Sequence, residues 1–132
     1  MQLINKNNKV GAIIFVTILL ASLALFINNR NELQLLEKNG VYVLGKLYSA
    51  SAEGETSWVY KFQFSFHTRS YFKSYNGKIS AETKKDSLIF FKILPENPAV
   101  CRQLQDIHVP DCLTLYSVPE SGWKELPKDT CR

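Results

Sequence analysis

A chain of 132 residues with 45% hydrophobic side chains and a formal charge of +4 allows one modest domain. All 12 acidic residues follow residue 27, together with 14 of the 16 basic ones, so the portion after the first apolar run carries a charge of only +2. That excess is too small for a general nucleic-acid binder, and no nucleic-acid partner is expected.

The head, "MQLINKNNK" (residues 1–9), is polar and carries Lys6 and Lys9. Val10 to Ile27, "VGAIIFVTILLASLALFI", then runs for 18 residues without a charge. At 1.5 Å per residue it forms about 27 Å of helix, close to the roughly 30 Å of a bilayer's hydrocarbon core. Its twelve Val, Ile, Leu and Phe residues favour insertion by roughly 4 to 7 kcal/mol. Thr17 and Ser22 do not oppose this, because a helical hydroxyl can donate to a preceding carbonyl. A single transmembrane helix over 10–27 is expected, with the lipid bilayer as its partner. The alternative is a cleaved signal with Ser22-Leu23-Ala24 as the processing site. Leu25, Phe26 and Ile27 extend the apolar run past that site and favour a retained anchor. No cysteine follows directly, so a lipoprotein anchor is excluded. Lys6, Lys9 and the terminal amine stand against Arg30, Lys38 and Lys46, nearly a tie in basic residues. The short, signal-like head decides for a cytosolic N-terminus and an extracytoplasmic remainder.

Residues 28–39 carry helix signals: Asn31 as a cap, Glu32 in the first turn, Lys38 near the last, and Asn39-Gly40 as a stop. They form a juxtamembrane helix continuing or following the span. From Val41 the period changes to two, and residues 40–117 are expected to form a small β-domain. "VYVLGKLYS" is a strand in which Gly45 suggests a bulge or bend. "SASAEGET" (49–56) is a polar loop. "WVYKFQFSF" (58–66) places Trp58, Tyr60, Phe62, Phe64 and Phe66 on alternate positions, with Lys61, Gln63 and Ser65 between them. A turn at 67–69 leads to "SYFKSYNGK" as its antiparallel partner. "LIFFKIL" (88–94) is apolar on both faces, as in a strand covered on both sides. Pro95 and Pro98 of "PENP" end it. "CLTLYSV" (112–118) is a further candidate strand, and 118–132 is a tail anchored by Trp123 and Leu126.

Five rings on one strand cannot all face water without inviting association. Each buries about 150 Å² or more, several kcal/mol gross before entropy. The aromatic row is therefore expected inside the sheet, and a stacking platform for bases or sugars is the weaker reading. The fold class is mainly β: one N-terminal transmembrane helix plus a small antiparallel sheet or partly closed barrel.

The valine-rich strand with glycine, the polar loop, the "Y-x-F-x-F" strand, its aromatic hairpin partner and the strand ending in "PENP" resemble a family of bacterial membrane-anchored small β-domains of unknown function. The likeness covers roughly residues 39 to 104, and Ile93 stands where the family's closing motif has an aromatic residue. It implies a membrane-anchored β-domain and assigns no catalytic residue. The chain departs from that family in lacking a second membrane helix and in adding a cysteine-bearing tail.

Chemistry-bearing residues are sparse. Lys61, Arg69, Lys73, Lys78, Lys84, Lys85 and Lys92 face only Glu82 and Asp86 between residues 61 and 92. The first six form a candidate surface for an anionic partner, such as a headgroup or an acidic protein, against the plainer reading of a solvated strand surface. Cys101, Cys112 and Cys131 would give one disulfide and one thiol outside the cytosol, with Cys112 in the pair and its partner open. A zinc site of Cys101, His108, Cys112 and Cys131 has suitable ligands but lacks a close Cys-x-x-Cys knuckle. No nucleophile elbow, phosphate loop or metalloprotease helix occurs. The expectation is thus a non-enzymatic module without cofactor or metal, exposing its β-domain to a protein partner in an envelope complex. A small ligand-binding domain, or an immunity-type inhibitor on the same anchor, is the alternative.

Overall fold

In the computed structural model, residues 3–77 and 87–128 are described. The chain divides into two units, the first ending at Leu35 and the second beginning at Leu36. One helix, α1, runs Leu3–Asn39 without a break. Its apolar part is long enough to cross a membrane, and none of the qualifying stretch is buried by protein. Thr17 Oγ1 donates to Ile13 O (2.8 Å) and Ser22 Oγ to Leu19 O (2.9 Å), so neither hydroxyl needs water. Arg30 lies over the Phe26 ring, 5.0 Å from its centroid, just past the apolar run.

The second unit holds five strands: β1 (Val41–Glu53), β2 (Ser57–Phe66), β3 (Arg69–Gly77), β4 (Leu88–Leu94) and β5 (Asn97–Leu104). All pairings are antiparallel, in the order β3-β2-β1-β4-β5. The sheet curls into a nearly closed barrel, and across its open seam Tyr75 of β3 meets Cys101 of β5, Oη to Sγ 3.5 Å. β1 is long because it serves two neighbours. Val41–Lys46 pair with β4, and Gly45–Glu53 pair with β2.

Inside the barrel, Tyr60, Phe62, Phe64 and Phe66 are buried with Val43, Leu47, Phe91 and Ile93. Phe91 is the hub. Its ring stacks on Phe64 (5.5 Å, 28°) and meets Phe62 edge-on (5.5 Å, 66°), with Tyr75 at 6.1 Å. A Cβ at Gly45 would overlap that ring, so the glycine is there to admit it. The bulge expected at Gly45 falls instead between Leu47 and Ser49.

The aromatic row is core with one exception. Trp58, near the strand's start, is 45% exposed and stacks on Tyr60. At the end of a strand there is too little neighbouring sheet to cover so large a ring.

The other face of β4 is covered as well. Phe90 and Leu94 are buried, and Trp123 of the tail packs edge-on against Phe90, 6.2 Å between centroids. The tail is pinned by a two-bond bridge: Tyr42 N donates to Trp123 O (2.7 Å) and Trp123 N to Tyr42 O (2.9 Å). It thereby fills the side of β1 that β2, whose pairing starts at Gly45, leaves open.

The segment 49–56 is largely strand rather than a loop, because the bulged β1 continues to Glu53 opposite β2. "PENP" ends β4 at Leu94 as expected and then turns the chain into a further strand. Pro95-Glu96 form a two-residue turn, and Asn97 opens β5, where Pro98 is tolerated because β5 is an edge strand. Residues 112–118 form no strand; Leu115–Ser117 is one 3-10 turn, closed by Ser117 N donating to Thr114 O (2.9 Å).

Gly45→Ala should destabilise the domain by about 1 to 3 kcal/mol through overlap with Phe91. Phe62→Ala, Phe64→Ala or Phe91→Ala should each cost about 3 to 5 kcal/mol, much of the stability of a domain this size. Chemical denaturation of the full chain in detergent, followed by tryptophan fluorescence, measures this. Wild-type midpoints for the phenylalanine variants would show that the rings do not form the core.

Candidate functional site

The outward rows of β1 and β2 and the tail enclose a groove of about 560 Å³. Leu44 and Lys46 come from β1, and Gln63, Phe64 and Ser65 from β2. Thr68 comes from the β2–β3 turn, and Leu115, Tyr116 and Val118 form the tail's wall. Its volume suits a small ligand or a few residues of a bound segment. Tyr116 is 98% exposed at the rim.

Alternation explains the lining. On β2 the even positions fill the barrel, so Gln63 and Ser65 must point outward, and Gln63 Nε2 donates to Ser70 Oγ across the hairpin (3.4 Å). The groove's end is held tightly. His67 and Thr68 form the two-residue turn with φ of 46° and 63°, both left-handed and neither glycine. Thr68 Oγ1 donates to His67 O (2.6 Å), His67 N to Glu120 O (3.2 Å), and the His67 ring meets Phe66 edge-on at 4.3 Å. A β-branched residue in this region is strained, and surrounding contacts hold it there.

Three residues of the expected basic surface are described, and the pleat sets them on two rows. Lys61 stands on the outward row of β2, whereas Arg69 and Lys73 share the inward row of β3 with Tyr71 and Tyr75. Lys78, Lys84 and Lys85 lie outside the described residues. Lys92 has another role. It is buried, and its Nζ donates to Glu37 O (3.0 Å) and Glu37 Oε2 (3.1 Å), with the Tyr42 ring 5.6 Å away. Arg102 Nη1 holds the other oxygen of Glu37 at 2.6 Å. A Cβ at Gly40 would overlap the backbone oxygen of Leu36 and lie 2.9 Å from the Lys92 stem, so glycine is needed where the helix ends. Glu37 lies ten residues beyond the apolar run. The hydrogen bond and charge of Lys92, helped by Arg102, lower its pKa.

Cys101 is a free thiol beside Tyr75. Burial, reinforced by that thiol, pushes the Tyr75 phenol well above its ordinary pKa. Cys131 lies outside the described residues. Among the described residues, no group of three or more His, Cys, Asp and Glu side chains is placed to hold a metal. Comparison with protein-family models, curated proteins and solved structures finds no match.

Sequence reasoning missed the Glu37–Lys92–Arg102 cluster, whose first two members are 55 residues apart with no local signal. It also missed the groove wall at Leu115 and Tyr116, which a strand assignment would have placed in a ladder.

Two outcomes follow from these contacts. Thr68→Gly should raise stability by about 0.5 to 1 kcal/mol, since glycine removes the left-handed strain at a smaller entropic cost. Denaturation midpoints check this, and a loss would show that the Thr68 hydroxyl outweighs the strain. Glu37 has its pKa lowered on folding, so its contribution is present in full above its unfolded pKa and is lost as pH falls through the folded one. The stability gap between wild type and Glu37→Gln should therefore shrink on acidification below the carboxylate range. A gap constant with pH would exclude the ion pairs as its source.

Proposed function

We propose that this chain is a non-enzymatic, single-pass membrane-anchored module. Its N-terminus is cytosolic, its β-domain extracytoplasmic, and it binds a protein partner within an envelope complex. The observation that carries the reading is the joining of an uncovered apolar helix to a β-domain whose shifted groups serve the fold. Glu37 ties the end of α1 to β4 and β5, and Tyr75 bridges the seam, so neither is poised as an acid or base. The resemblance to membrane-anchored small β-domains belongs to the same proposal. A second reading, a small-ligand domain, is favoured by the groove where Lys46, Gln63, Ser65 and Thr68 converge over an apolar floor.

The extracytoplasmic placement goes with a disulfide between Cys112 and Cys131. Cys101 is a free thiol beside Tyr75, which favours Cys131 as the partner of Cys112 in this proposal. Such a bridge adds about 2 to 4 kcal/mol to a small domain.

Native electrophoresis of the full chain extracted from host membranes should show it in an assembly well above its own 15.1 kDa. Non-reducing peptide mapping of the same material should recover Cys112 linked to Cys131 and Cys101 alkylatable. Migration as a lone monomer would remove the partner. Three alkylatable thiols would remove both the disulfide and the extracytoplasmic placement.

A further inference from the structure

The two edges of the sheet differ in how they are protected. β5 carries Pro98, adjoins a register shift between Ile93 and Leu94, and has Arg102 tied to Glu37. Each feature spoils an edge as a template for another strand. β3 has no proline and no register shift, and its tie across the seam is the single contact of Tyr75 with Cys101. It pairs with β2 residue for residue from Phe66↔Arg69 to Trp58↔Gly77, with no bulge and no proline, and has no strand on its other side among the described residues. A straight nine-residue strand of this kind presents a full row of backbone donors and acceptors.

Its side chains narrow what can add. Arg69 and Lys73 lie four residues apart on one row and have no ion pair among the described residues. Phe72 stands on the opposite row, 60% exposed, with the Tyr48 ring edge-on at 5.8 Å. A second copy of β3 would set like charges close together, which disfavours self-pairing. A strand carrying carboxylates four residues apart on one row, with an apolar residue on the other, satisfies both rows at once.

We propose that the free edge of β3 is a strand-addition site for an extended acidic segment of a partner protein. The inference rests on the protein-interaction reading and names its surface: main-chain pairing supplies affinity, and Arg69, Lys73 and Phe72 supply selection.

The test uses the full chain in nanodiscs of zwitterionic lipid. One probe is the peptide acetyl-Thr-Glu-Val-Val-Thr-Glu-Thr-amide, whose glutamates fall opposite Lys73 and Arg69 in antiparallel register. Its counterpart has lysine at both glutamate positions. Amide hydrogen exchange over residues 69–77 should slow about tenfold with the acidic peptide at ten times its Kd, and not with the basic one. The double variant R69E/K73E should reverse that preference, a readout that loss of fold cannot imitate. Equal protection by both peptides would overturn the acidic partner while leaving an interaction edge in place. Protection that rises with protein concentration alone would make a second copy the occupant and overturn the proposal. Protection by neither peptide would overturn the edge site, and the native assembly would then decide the broader reading separately.

Discussion

The ring of Phe91 occupies the space that a side chain at position 45 would take, and the packing of the barrel is arranged around that exclusion. Gly45 sits where β1 has β4 on one side and β2 on the other. Removing its Cβ lets a ring from one neighbour reach over the strand to Phe62 and Phe64 of the other. β4, β1 and β2 are thereby joined through side chains as well as through the backbone ladder. Tyr75 then reaches the same ring from β3, which draws the far edge of the sheet toward closure.

Filling the barrel this way leaves β4 with a second apolar row, Phe90 and Leu94, that also must leave water. The tail answers that need. Trp123 covers Phe90, and its backbone uses the stretch of β1 that β2 does not reach. Lys92 lies between these two apolar residues on the same row. A buried ammonium is costly unless it is paired and hydrogen-bonded. Its stem passes Gly40 and its head takes both a carbonyl and a carboxylate from Glu37, so the end of α1 is fastened to the sheet by the one polar group its outward row contains.

Much of this was legible in local pattern. Eighteen uncharged residues, a period of two through 58–66 and an apolar run on both faces at 88–94 each name an element by itself. The failures share one cause, which is that edges and ends are decided by distant neighbours. Trp58 has the period of a core residue but stands where the sheet runs out. Asn97–Leu104 has weak alternation and a proline, and becomes a strand because Leu94↔Asn97 and Ile93↔Cys101 pairing is available across a tight turn. Residues 112–118 have strand-like composition but find no free ladder in the chain's path. The candidate site was less legible than the fold. Of the described basic residues from 61 to 92, one pleat separates Lys61 from Lys73, and burial removes Lys92.

These constraints also locate where specificity can reside. Among the described residues, the barrel interior is filled by the rings of Tyr60, Phe62, Phe64, Phe66 and Phe91. Open among the described residues are the outward groove beside the strained His67-Thr68 turn and the edge of β3, and the two share a hairpin. The turn that closes the groove also sets the register of β3 against β2, and so determines which row Arg69 and Lys73 occupy. A one-residue slip in that hairpin would move Phe64 out of the core and both cations to the opposite face. The same rings that stabilise the barrel therefore fix the chemistry presented at its edge.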